Sequence, residues 1–415
     1  MHIIIMGSGV LGVMSAYFLS RSGHSVEVID RQPEAARECS FANGCQLSYS
    51  HAEPWANPYV FPKLLKWAFD ENAPLVMRFS TDPHMIKWGL RFLWNCRKSA
   101  ADRHALVLLR LGLHSKAQMA EVVSETGIEF HNVKKGILHV FSNEKEFIHA
   151  QQQAEFQHTH GCDETVLSWQ QCMEMEPSLA HSAKVIYGGI HAPIDESGDI
   201  NLFTVSLANY CREKFGTIFH FDTEILELNA ENNQITHVAT NRGNMRGDAY
   251  VMAMGAYSPL QLRRIGIDVP IYPMKGYSVT FPANECSPTM SITDDALKIV
   301  YSRIGDRVRV AGTAEFAGYN TDVRDKRITP IINGIKSLFP KAKLQFHDHW
   351  ACLRPTTPDG PPIIGKTQYP NLFINSGHGT LGWTQAAGSA NLLADIINNN
   401  TTQIPLEGLT SDRYN

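Results

Sequence analysis

MHIIIMGSGVLGVMSAYFLSRSGHSVEVID, residues 1–30, is the stretch whose reading decides the fold. Four apolar residues, Ile3 to Met6, predict a short buried strand, and Gly7, Gly9 and Gly12 follow at GxGxxG spacing. An apolar-faced helix then runs to about Arg21, and a second strand, Val26 to Ile29, ends in Asp30. Gly7 permits the tight turn, Gly9 lets the backbone approach a pyrophosphate, and Gly12 lets helix and strand pack closely. The pyrophosphate rests against the helix N-terminus, where unpaired N–H groups point outward. Asp30 is placed to accept hydrogen bonds from a ribose. Strand, glycines, helix, strand and acid in this order are the context that separates a dinucleotide site from ordinary glycine turns.

The rest of the chain sets bounds on this reading. Its 415 residues are enough for two domains, with 43% hydrophobic and 19% charged residues, as in an ordinary globular protein. A net charge of -4 gives no reason to expect a nucleic-acid partner. The eight cysteines, at 39, 45, 96, 162, 172, 211, 286 and 352, show no CxxC, and the histidines no HExxH. Neither a metal site nor a disulfide framework is expected, and a reducing, cytoplasmic setting is. The first strand begins at residue 2, so no leader peptide is expected, and no run of eighteen apolar residues predicts a membrane span.

Residues 55–98 differ in kind. They carry Trp55, Trp67, Trp88 and Trp94, with seven Lys or Arg against three acids, and predict helices near 61–70 and 83–97. Such a composition fits an interfacial membrane contact, and equally a helical excursion whose aromatics pack on the body of the protein. Further on, a long helix is expected over 104–126 and a buried strand over Asp248–Met254. Strands near 271–281, 297–303 and 306–312 alternate as in a half-exposed antiparallel sheet. The expected fold is α/β: a Rossmann-like cofactor domain from 1–56, 196–257 and 350–415, plus an α+β substrate domain. The latter is an inserted antiparallel sheet with helices, from 57–195 and 258–349.

The first thirty residues do not separate NAD from FAD. A second glycine cluster, Gly377, Gly379 and Gly382, opens a helix at about Leu381. A helix N-terminus there suits the negative charge that a flavin gathers on reduction, which a nicotinamide does not. At this point the chain resembles the D-amino acid dehydrogenases of the D-amino acid oxidase superfamily over nearly its whole length. The resemblance rests on GSGVLG (7–12), ANGCQLS (42–48), PWANP (54–58), DESGD (195–199) and DAYVMAMGAYS (248–258). YPMKGYS (272–278), WACLRPTTPDGPPIIG (350–365) and SGHGTLGWT (376–384) complete it. It implies FAD, and oxidative deamination of D-amino acids to 2-oxo acids and ammonia by hydride transfer from Cα to flavin N5. It also implies electrons passed to a quinone or other non-oxygen acceptor, on the cytoplasmic face of the membrane. An oxidase of glycine, sarcosine or proline type on the same fold, or a non-catalytic flavoprotein subunit, is the alternative.

On this basis the cofactor contacts are expected from Gly7, Ser8, Gly9, Val10, Leu11, Gly12, Asp30 and Arg31. Asn43, Gly44, Cys45, Gln46 and Leu47 follow from the loop, and Gly255 from the middle segment. Gly377, His378, Gly379, Thr380, Leu381, Gly382, Trp383 and Thr384 follow from the C-terminal unit. Arg354, in LRPTTP, is the expected carboxylate anchor, because its planar fork binds a carboxylate bidentately. Tyr277 and Tyr319 are candidates to assist it, with Tyr301 considered beside them. The family tends to have Gly where this chain has Cys45 and Cys352, so thiols are expected near the flavin. For Cys45 either a thioether link to the flavin or a small buried cysteine is open. No dedicated general base is expected.

Overall fold

A computed structural model describes residues 1–414 except 52, 61–69, 72, 79, 160 and 347. The helix expected near 61–70, with Trp67, lies outside the described residues apart from its last position.

The opening stretch folds as the strand His2–Met6, the helix Val10–Arg21 and the strand Ser25–Ile29. They sit at the centre of a six-stranded sheet. Its order is Ile363–Lys366, Leu372–Ser376, Ala249–Met252, His2–Met6, Ser25–Ile29 and Ile218–His220. All neighbours are parallel except the first pair, where Ile363–Lys366 runs antiparallel to Leu372–Ser376. A parallel strand covered on both faces needs an unbroken apolar run. Ile3, Ile4, Ile5 and Met6 are all fully buried. Ile3 and Ile5 pack among the helices Val10–Arg21, Ile200–Phe215 and Gly382–Asn398. Ile4 and Met6 face Leu228, Ile235 and Val238 of the three-stranded meander on the other side.

The second layer is a nine-stranded, mostly antiparallel sheet. Its edge strand, Asp348–Thr356, pairs with Tyr272–Pro282, which pairs in turn with Arg307–Phe316. One face is covered by the helix Asp325–Leu338, whose Ile328, Ile331 and Ile335 pack on Tyr277, Val279 and Phe281. The opposite face looks toward the cofactor side.

Two placements depend on packing alone. The helix Lys98–Thr126, within the range expected for the substrate domain, buries Leu111, Met119 and Val122 in the core of the six-stranded sheet. Its Gly388-facing surface is tight: a Cβ on Gly388 would meet Ser115 at 2.9 Å. The strand Asp348–Thr356, which straddles the expected boundary at 350, belongs to the large sheet. The helix Pro83–Asn95 settles part of the earlier alternative, because Trp88 is buried against Phe92 and Phe316.

Candidate active site

Both sheets contribute to one cavity of about 770 Å³. At its nucleotide end the glycines are sterically required. Gly7 has φ +103, and a Cβ there would lie 2.7 Å from the Ala253 carbonyl oxygen. A Cβ on Gly12 would lie 1.8 Å from the Gly7 oxygen. Gly9 starts the helix in extended conformation with no side-chain cap; Ser40 Oγ accepts from Val10 N at 3.0 Å. The remaining first-turn N–H groups are what an anion needs. Asp30 Oδ2 accepts from Ser8 N (2.6 Å) and Ser8 Oγ (2.7 Å), and Oδ1 from Gln32 N (2.9 Å). The carboxylate is thus fixed at the cavity wall with acceptor capacity left over. Arg31 lies over the Tyr257 ring at 4.2 Å and donates to Glu38 Oε1 at 2.6 Å, so it secures the wall.

The loop after Asp30 is clamped to the cofactor-facing side of the large sheet. Ser278 Oγ donates to the Ala42 carbonyl (2.8 Å), Ser302 Oγ to Gly44 (2.9 Å) and Arg309 Nη1 to Phe41 (3.2 Å). Asn43 Oδ1 accepts from Cys45 N at 2.8 Å, an Asx turn that holds Cys45 at φ +62. That left-handed conformation is the physical reason a glycine suits this position. Cys45 is fully buried and does not line the cavity, and burial pushes its thiol up to about 11. It fits the buried-cysteine alternative, not the thioether. Asn43, Gly44 and Gln46 do line the cavity; Leu47 lies in the core.

The C-terminal unit closes the other wall. His378 bridges Thr356 through the backbone, and Gly379 N donates to the Pro355 carbonyl at 2.8 Å. His378 Nε2 is 2.8 Å from Ser389 Oγ, and burial pushes the ring down to about 3, so it is neutral at pH 7. It positions the loop. The helix Gly382–Asn398 starts without a side-chain cap, and Thr384 Oγ1 accepts from Ser48 N at 3.0 Å. His378, Gly379, Thr380, Leu381, Gly382, Trp383 and Thr384 line the cavity, as do Gly7, Gly9, Val10, Leu11 and Gly255. Ser8, Gly12 and Gly377 act behind the wall by shaping its backbone. The buried polar atoms Asn375 Oδ1, His378 Nδ1 and Trp383 Nε1 have no partner among the described residues. A polar ligand would satisfy them, so the residues present fit a bound dinucleotide.

Arg354 is half-buried on the cavity wall. Its guanidinium lies over bare backbone, where a Cβ on Gly276 would be 2.4 Å from Cζ. Arg327, on the far side of the same sheet, donates to the carbonyls of Glu71, Ala73, Pro74 and Ala314. Arg309 is likewise engaged with Thr280 and Phe41. Arg354 has no hydrogen-bond or ion-pair partner among the described residues.

Of the tyrosines expected to assist, Tyr277 contributes to the cavity lining but turns its hydroxyl away from Arg354, and Tyr319 does not reach the cavity. Side chains alternate across a strand, and Arg354 pairs with Met274 and Tyr277 with Ala351. Tyr277 therefore lies on the opposite face from Arg354, and its hydroxyl donates to the buried Glu315 at 2.6 Å. Tyr319 donates to the Ala256 carbonyl at 3.1 Å and does not line the cavity. Tyr301 packs in the core beside Phe339. Lys275 is fully buried and donates to Asn320 Oδ1 and the Asp322 carbonyl.

Sequence reasoning missed the far end of the cavity. It is lined by His51, Glu53, His139, His149, Gln153 and Glu164 among others. The His51 and His139 rings stack with centroids 6.5 Å apart, and burial pushes His139 down to about 4. Asp195 holds this loop, accepting from Ser50 N and Ser50 Oγ, both at 2.9 Å; burial pushes its carboxyl up to about 7. The signal was present in DESGD (195–199): Asp199 caps the next helix, and Glu196–Ser197 pairs with Gln46–Leu47.

A βαβ dinucleotide cradle, with a guanidinium on an adjoining antiparallel sheet that has no partner among the described residues, defines a nucleotide-dependent oxidoreductase. The family model described as FAD dependent oxidoreductase matches residues 2–396, and the chain belongs to that family of FAD-dependent enzymes. It is 44% identical over 418 residues to a D-amino acid dehydrogenase of Paramagnetospirillum magneticum, covering 100% of this chain and 99% of the relative. It is 42% identical over 405 residues to a D-amino acid dehydrogenase of Dechloromonas aromatica, covering 96% and 97%. Among solved structures, glycine oxidase from Geobacillus kaustophilus aligns with TM-score 0.79 at 20% identity, covering 99% of this chain and 97% of that one. L-proline dehydrogenase from P. horikoshii aligns with TM-score 0.77 at 18% identity, covering 100% and 97%. At those identities the structures establish the fold alone.

Proposed function

We propose that this enzyme oxidises D-amino acids to 2-oxo acids and ammonia, with a quinone or another non-oxygen molecule as final electron acceptor. The observation that carries the substrate class is the unpartnered Arg354 guanidinium on the cavity wall, in a chain whose full-length relatives are D-amino acid dehydrogenases. FAD, when bound, supplies the acceptor for the hydride that leaves Cα. Arg354 holds the substrate carboxylate bidentately and so fixes which Cα bond faces inward. The neutral His378 holds the loop between Ser376 and Leu381 in place without adding a charge there. The helix N-terminus at Gly382 presents its positive end to the cavity, where negative charge develops. Anaerobic bleaching of the flavin by a panel of D- and L-amino acids tests this reading. Bleaching by D-amino acids, with dye reduction exceeding peroxide formation in air, is expected. Bleaching by glycine or secondary amines with stoichiometric peroxide would favour the oxidase instead.

The acceptor reading is supported by the outer face of Pro83–Asn95. Ile86 (53% exposed), Leu90 (65%), Leu93 (44%) and Trp94 (66%) form one stripe at i, i+4, i+7 and i+8, with Arg97 over the Trp94 ring at 3.8 Å. Among the described residues no helix is long and apolar enough to cross a membrane. We place this stripe, rather than Trp88, against a lipid surface in which a quinone dissolves. Replacing Leu90 and Trp94 by Glu is expected to release the protein from anionic vesicles without loss of flavin.

A further inference from the structure

The cavity wall carries a pair of thiols that the chemistry above does not use. Cys39 comes from the cofactor loop and Cys352 from the edge strand of the large sheet, and both are half-buried residues lining the cavity. Cys39 Sγ lies 2.9 Å from the carbonyl oxygen of Leu353, the residue next to Cys352. Cys352 pairs with Gly276, so its side chain is on the same face as the Arg354 guanidinium. The other cysteines, apart from Cys286, are buried.

We propose that Cys39 and Cys352 form a peroxide-responsive dithiol, closing to a disulfide that ties the cofactor loop to the Arg354 strand. The electrostatics assign the two roles. The neighbouring Cys39 sulfur and the Arg354 charge hold the Cys352 thiol below its ordinary range, while the nearby Cys352 sulfur and burial hold the Cys39 thiol, which donates to the Leu353 carbonyl, well above its own. Cys352 is therefore the sulfur that attacks and Cys39 the one that resolves. In the first step the Cys352 thiolate attacks one peroxide oxygen, the O–O bond breaks, and sulfenic acid and hydroxide form; the hydroxide becomes water by taking up the proton that the thiol had released. In the second, the Cys39 sulfur attacks the Cys352 sulfur, expelling the hydroxyl as a second water. Two thiols lose two electrons and two hydrogens to one hydrogen peroxide. A dithiol such as dithiothreitol reverses the bond by exchange.

The bond would join two segments now held by the Cys39–Leu353 contact, two residues before the PTT run (355–357) that bridges to His378. It draws on Arg354's own strand, so closure alters substrate binding as well as thiol count.

The test uses the full-length, FAD-loaded protein and hydrogen peroxide. After treatment, thiols are blocked under denaturing conditions and the digest is read by mass spectrometry. The expected product is a linked peptide pair containing Cys39 and Cys352, two hydrogens lighter than the reduced pair, with six of the eight cysteines still alkylated. Dithiothreitol should restore all eight. In Cys39→Ser, dimedone should label Cys352 as a trapped sulfenic acid, whereas in Cys352→Ser it should leave Cys39 unlabelled. Absence of the linked peptide in the wild-type protein, or its appearance at other cysteine pairs to an equal extent, overturns the proposal. Because the wild-type crosslink is decisive by itself, misfolding of either variant does not rescue it.

Discussion

The two ends of the cavity are built on opposite principles. At the nucleotide end almost every group is already paired: Asp30 by Ser8 and Gln32, Arg31 by Glu38 and Tyr257. What remains open there is backbone N–H at an uncapped helix start. At the reacting end, among the described residues, the buried atoms Trp383 Nε1, His378 Nδ1 and Asn375 Oδ1 have no partner, and the half-buried Arg354 guanidinium has no hydrogen-bond or ion-pair partner. A buried polar group without a partner is costly, so such a cluster persists where a ligand completes it. The nucleotide end is a shape that tolerates no added atom, and the reacting end is a set of groups awaiting a ligand.

The largest effect should come from adding one atom to the first. Gly12→Val places a Cβ where the Gly7 oxygen already lies within 1.8 Å. Overpacking of this kind costs about 3 kcal/mol or more. The expected outcome is protein without flavin or protein that does not fold, read by absorbance and by thermal unfolding. Retention of stoichiometric FAD would break the contrast between the two ends.

Next in size is Arg354→Ala, which leaves the nucleotide end untouched. Losing one partner of a desolvated charge pair costs about 2–5 kcal/mol, so kcat/KM for a D-amino acid should fall by about thirtyfold or more. Flavin content should be unchanged. Tyr277→Phe is the matched control, because its hydroxyl serves Glu315 on the opposite face of the sheet. It should lower stability by about 1–3 kcal/mol, and leave kcat/KM within about twofold. An equal loss of activity in both variants would refute the placement of Tyr277.

The smallest effect is one of pH. Burial pushes the Asp195 carboxyl up to about 7, above its usual 3.8. Between those values the unfolded chain has released a proton that the folded protein keeps, so this group lowers stability as pH rises. Asp195→Asn removes that slope. The variant's melting temperature relative to wild type should be near unchanged at pH 4 and should rise to its largest advantage above pH 7. A difference independent of pH would show that Asp195 ionises normally and does not hold Ser50 as a neutral acid.

How much was legible follows the same division. Gly7, Gly9, Gly12 and Asp30 act through local backbone geometry within thirty residues, and local geometry is written in local sequence. The same holds for the helix opening at Gly382. Tyr277 was misplaced because a one-residue change of register moves a side chain to the other face of a sheet, and no local pattern fixes the pairing of Tyr272–Pro282 with Asp348–Thr356. Trp88 was ambiguous for a related reason. An amphipathic helix shows two apolar stripes here, and only packing on Phe316 decides which one faces inward.

The sequence by itself determined the dinucleotide cradle, since that rests on residue types whose sterics are specific at short range; it offered Arg354 as an expectation, from the planar fork of its guanidinium and from the family resemblance of LRPTTP. Only the tertiary structure decided that Arg354 has no hydrogen-bond or ion-pair partner among the described residues, that Cys39 lies against the Leu353 carbonyl next to Cys352, and that the hydroxyls of both candidate tyrosines are engaged elsewhere. Those facts depend on which strands pair and in what register, and that is set by burial summed over the whole chain.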